Sequence, residues 1–168
     1  MAIMSDALPK PGTRCLSGSL DIETSAEAAF ALICSVGKWP VWLSFLRSAE
    51  LAGAKAPIGL GSEILVRSMI PGEPEQRYEV DQFVSNFHLS LVGAFSVRRR
   101  IDFRVERKTS RSKVHVRVEY PAYHGWFGSI YDHLTSGRKL AALLEDSLVH
   151  FKSLVEYETH KDAILADF

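Results

Sequence analysis

In the stretch VRRRIDFRVER, Arg99 keeps step with Val97, Ile101, Phe103 and Val105, while Arg98, Arg100 and Arg104 keep step with Asp102 and Glu106. Strand alternation therefore turns Arg99 toward the apolar side. A guanidinium stays charged wherever it is put, so over an apolar space it needs a carboxylate, a carbonyl, water or an anionic ligand group. The expectation is that Arg99 meets the acidic or carbonyl-bearing head of a ligand. A strand end reaching solvent, or a β-bulge that shifts the parity, would remove it. A second group, Tyr120, Tyr123, His124 and Asp132, gathers before the last helical stretch. An imidazole titrating near neutrality beside phenols can move protons in an enolising cyclisation, which makes Tyr123 and His124 the catalytic candidates. A lone loop histidine is as a rule a solvated surface group, and no second partner stands at a defined spacing.

Other chemistries are excluded by what the residues lack. His88, His115, His133, His150 and His160 form no metal-ligand cluster, and His88 and His115 fall on outward positions. Gly59 and Gly61 make a GxG that runs on through SEI into a strand, so it reads as a loop and not as a dinucleotide fingerprint. No G-x-S-x-G elbow is present. Cys15 and Cys34 show neither CxxC nor CxH spacing, so no zinc site, no disulfide framework and no cofactor is implied, and a reducing, cytoplasmic setting is expected. The opening MAIMSDALPKPG lacks a basic leader and a long apolar run, and no stretch reaches the roughly 18 apolar residues of a membrane span. The region from Arg98 to Arg117 is locally basic and is the one feature that favours a nucleic acid or anionic partner. Against it stand the 20 Lys and Arg balanced by 20 Asp and Glu, and outward positions without interleaved aromatics. A solvated sheet face without nucleic acid is expected.

The elements that must hold these residues follow from periodicity. Leu16, Leu20 and Ile22 alternate with polar residues as a half-buried strand whose core face carries the even numbers. Thr24 precedes Glu27 at capping-box spacing and starts a helix that runs to Gly37. Trp39 precedes Pro40 and should leave the helical region, with a second short helix carrying Val41, Trp42, Phe45 and Leu46. From about residue 48 come strands divided by turns: one near Ala49 to Leu51, ILVRSMI up to Pro71 and Gly72, one from Tyr78, one through Phe87, Leu89 and Leu91, then the pair joined by KTSRS. Short connections imply an antiparallel meander. Last, Phe127, Ile130, Leu134, Gly137, Ala141, Leu144, Leu148, Phe151 and Val155 recur at helical steps, so one face of a long helix must be buried. The layout is α+β: a curved antiparallel sheet wrapped around a long C-terminal helix, with two short helices after the first strand. Gly137 and Ala141 thin the waist of the buried stripe. They either leave a space toward the sheet or admit an aromatic such as Phe103.

The helix start TSAEAAFALI, the W-P-x-W segment, the IGLGSE loop before a strand and the lead YPAYHGWFGSIYDHL into the last helix are similar to the START / polyketide cyclase superfamily (SRPBCC), which shares the helix-grip fold of birch-pollen-allergen-like proteins. The likeness spans about residues 13–158, with residues 1–12 a flexible tail and 159–168 a tail or helix extension. It implies a cavity between sheet and helix for a hydrophobic small molecule: a lipid, polyketide, quinone or sterol-like compound. It also leaves open a cyclase or dehydratase, and a protein- or RNA-interaction module with a collapsed cavity. By position, Trp39, Trp42 and Phe45 would border the cavity mouth, unless Trp42 plugs the barrel end. The expected lining set is Trp39, Trp42, Phe45, Arg99, Phe103, Tyr120, Gly137, Ala141 and Leu144, with no metal.

Overall fold

A computed structural model gives the architecture and describes residues 12–53, 57–69, 74–94, 96–121 and 137–166. Strand β1 (Thr13–Ile22) is followed by helix α1 (Ala26–Cys34), a 3-10 turn (Val36–Lys38) and helix α2 (Trp39–Trp42). Six strands come next: β2 (Leu46–Leu51), β3 (Glu63–Ser68), β4 (Gln76–Val84), β5 (His88–Gly93), β6 (Ser96–Arg107) and β7 (Ser112–Pro121). Helix α3 (Gly137–Ala166) closes the described chain and runs about 45 Å at the α-helical rise. Of the segment expected as a tail or helix extension, residues up to Ala166 are helical.

The strands form one antiparallel sheet in the order β1-β7-β6-β5-β4-β3-β2, as the short connections require. Its inner face carries Ile64, Val80, Leu89, Leu91, Phe103, Val105, Val114 and Val116, all nearly or fully buried. Helix α3 lies over that face with Leu144, Leu148, Phe151 and Val155 turned inward. The helix follows β1 in the same direction: Lys152 Nζ donates to the Asp21 carbonyl, Glu156 accepts the Glu23 N–H, and the Thr24 and Thr159 hydroxyls meet at 3.0 Å.

Three local expectations are corrected. Ser25, and not Thr24, caps α1, its hydroxyl accepting the Ala28 N–H at 3.1 Å, while Thr24 is buried against Thr159. Trp39 is helical, at φ −55° and ψ −42°, despite the following proline. Its indole N–H reaches the Ile33 carbonyl at 2.7 Å and the ring is fully buried, a gain that outweighs the steric bias before proline. Helix α2 ends at Trp42, which leaves Phe45 in the turn into β2.

Candidate ligand-binding site

The two tryptophans form the sealed part of the interior. Trp39 and Trp42 both lie against Phe103, at centroid distances of 5.7 and 6.0 Å, and Trp42 stands edge-on to Phe151 at 4.8 Å. All four rings are at most 1% exposed. Offset and edge-to-face contacts of this kind add to the area the rings bury. Trp39 and Trp42 are thus a floor and not a rim, and Phe45 is a half-buried neighbour of that floor. Among the described residues the buried Trp42 Nε1 finds no acceptor, unlike that of Trp39.

Away from this floor the packing loosens. On β7, Val114 and Val116 are 1% and 2% exposed, whereas Val118 and Tyr120 on the same inward parity are half-buried. The pairing of β1 with β7 is regular, so each of these faces a β1 residue: Leu20 opposite Val114, Gly18 opposite Val116, Leu16 opposite Val118, Arg14 opposite Tyr120. At Gly18 helix α3 is in contact with the strand, for a Cβ there would stand 2.7 Å from Leu148 Cδ1. One turn further back Leu144 also comes to within 3.7 Å of that position. A groove of about 230 Å³ opens between Leu16–Ser19 and the helix, lined on the other side by Ala141, Leu144, Glu145 and Leu148. Two small residues line it: Gly18, which lets the helix approach closely, and Ala141, which adds little bulk on the helix side.

Arg99 falls in the β-bulge weighed against its inward placement. Val92 pairs with Arg100 but Gly93 pairs with Ser96, so β6 carries residues 97–99 as an insertion relative to β5. Alternation is broken there, and Arg99 sits half-buried at the end of that bulge. The guanidinium with regular inward parity is Arg14, which sequence reasoning passed over. The even-number rule that places Leu16, Leu20 and Ile22 reaches back to it directly. Gly137 is the first residue of α3. Tyr123, His124 and Asp132 lie outside the described residues. Among the described histidines, His88 and His115 are on the convex face, bonded or close to Asp102 and Glu106, and His150 and His160 are exposed on α3.

A second, wider concavity of about 460 Å³ lies between the end of α1 and β2, lined by Cys34, Val36, Lys38, Ala49, Leu51 and Ile58 among others. Burial pushes the pKa of the Cys34 thiol there up to about 11, so it stays protonated at neutral pH. The groove at Ala141 lies between sheet and helix and joins apolar side chains to the polar Ser17, Ser19 and Glu145.

The basic region is largely neutralised by its own neighbours. Arg100 bridges Asp81 at 2.7 Å and donates to Ser90 Oγ at 2.6 Å, and Arg117 bridges Glu119 at 2.8 Å. Lys108 and Arg111 pair with Asp21 and Glu23, and Arg107 pairs with Glu27.

No family model and no curated protein sequence matches the chain. Solved structures do. A START superfamily protein from Mycobacterium smegmatis aligns with TM-score 0.62 at 14% identity over 85% of this chain and 97% of its own. The Polyketide_cyc-like protein Cgl2372 from Corynebacterium glutamicum aligns with TM-score 0.60 at 18% identity, covering 89% and 95%. A norcoclaurine synthase point mutant from Thalictrum, solved with a transition-state analogue, aligns with TM-score 0.58 at 18% identity, covering 88% and 96%. At these identities the likeness is one of fold: the chain has the helix-grip architecture of START and polyketide-cyclase-like proteins.

Proposed function

We propose that the protein binds an apolar small molecule, lipid- or polyketide-like, in the groove between β1 and α3. The observation that carries this reading is the loss of burial along β7 beyond Val116, beside the half-buried Leu16 and Gly18 of β1 and the small residue Ala141 of the helix. Apolar side chains left half-buried on an inner face are the surface that an apolar ligand covers, at roughly 25 cal/mol for each Å² removed from water. A carrier or sensor needs no more than this. The cyclase-like alternative would draw on Tyr123 and His124, and none of the described histidines lies on the inner face.

Calorimetric titration with methyl decanoate, an uncharged apolar probe, tests the reading. Saturable binding is expected in the wild type, and Ala141→Phe, which fills the groove from the helix side, should weaken it about tenfold or more while the protein keeps its melting temperature within a few degrees. Binding that is indifferent to Ala141→Phe would place the ligand elsewhere.

A further inference from the structure

We infer that the groove selects apolar molecules with a cationic amine head, and that Glu145 is the residue that reads the charge. The inference rests on the groove reading above. Among the described residues that line the groove, Glu145 alone carries a charge. It is exposed at the rim, and among the described residues it makes no hydrogen bond or ion pair. Other acids of the same helix are engaged. Asp146 accepts from the Ser44 hydroxyl at 2.6 Å, Glu156 accepts the Glu23 N–H, and Glu158 bridges Lys38.

The sequence itself isolates this carboxylate. Side chains three and four positions apart are neighbours on a helix surface, and those of Glu145 are Ala141, Ala142, Leu148 and Val149. No lysine or arginine stands within five positions on either side, so the helix offers it no cation. A molecule whose body covers Leu16, Leu144 and Leu148 brings its head to a carboxylate with apolar neighbours, where charge attraction exceeds its value in bulk water. An ammonium has three N–H donors: the carboxylate takes one or two, and the oxygens of Ser17 and Ser19 on the strand side are acceptors for the rest. A carboxylate head would meet like charge in the same place, and an ester would gain nothing from Glu145. The chain has no net charge at pH 7, so a preference for cations has its origin in the groove.

The experiment compares decylamine, methyl decanoate and decanoate, which share a body and differ in head, by calorimetry at neutral pH and about 10 mM salt, where screening is weak. The proteins are the wild type, Glu145→Gln, Glu145→Lys and Glu79→Lys. The wild type is expected to prefer the amine about threefold over the ester and about tenfold over the acid. Glu145→Gln should bring amine and ester to the same affinity, and Glu145→Lys should place the acid above the amine. Glu79 is exposed on β4, so Glu79→Lys changes the net charge by the same amount away from the groove and should keep the wild-type order. Equal affinity for amine and ester in the wild type overturns the assignment and leaves the groove reading standing. So does an amine preference that survives in a folded Glu145→Gln protein, or one that Glu79→Lys abolishes. If none of the probes binds the wild type, the groove reading falls and this one with it.

Discussion

The residues that carry most of the packing are the four rings at the floor. Phe103 touches both tryptophans, so Phe103→Ala should lower unfolding stability by about 3–5 kcal/mol, read from urea denaturation. The tryptophans were visible in the sequence as a cluster, but their depth was not. A ring three residues from another can sit at a rim or in a floor, and only the contacts with Phe103 and Phe151, from distant strand and helix, decide it. Arg14 is the reverse case: its inward side was legible from the parity of β1. On the convex face, burial alone would raise the Asp102 pKa, but the His88 hydrogen bond at 2.7 Å and the charges of His88, Arg100 and Arg104 outweigh it and hold the carboxyl below its usual range. A depressed carboxylate pKa stabilises the folded state above the unfolded value, near 3.9, and the contribution disappears as pH falls through the lower folded value. Asp102→Asn should therefore flatten the acid limb of the stability curve below about pH 4, measured by thermal melts across pH.

Among the elements, α2 and its following turn are fastened to α3 by polar contacts. Ser147 is buried, donates to the Leu143 carbonyl at 2.6 Å and accepts the Ser44 N–H at 2.9 Å, and Lys38 bridges Glu158 at 2.6 Å. Ser147→Ala leaves the Ser44 N–H without its acceptor and should cost about 1–2 kcal/mol, seen as a lower melting temperature. The strands and α3 were legible because each shows one clean period over many residues. Trp39 and Arg99 were not. For Trp39 a tertiary hydrogen bond and full burial override a local preference, and for Arg99 an insertion in β6 breaks the alternation on which the inference depended.

For the molecule as a whole, the balanced composition and the paired convex face point the same way. The local run of arginines looked like a patch in one dimension, while in the fold Arg100, Arg107, Lys108, Arg111 and Arg117 each face a carboxylate contributed by another strand, by α1, by the connection between β1 and α1 or by the same strand. Gel-shift titration with a mixed-sequence RNA should accordingly show no saturable binding even at about 50 mM salt, where phosphate contacts are strong. The helix-grip layout was readable from the order of elements, but the position of the groove was not. It depends on Gly18, which lets α3 approach closely, and Ala141, which adds little bulk on the helix side, two small residues from opposite ends of the chain whose meeting no local pattern records.

The most direct test is amide and methyl NMR of the labelled protein titrated with methyl decanoate. The account expects saturable shifts that cluster at Leu16, Gly18, Val118, Ala141 and Leu144. Shifts confined to the concavity of Cys34, Lys38, Ala49 and Ile58, or none at all, would contradict it.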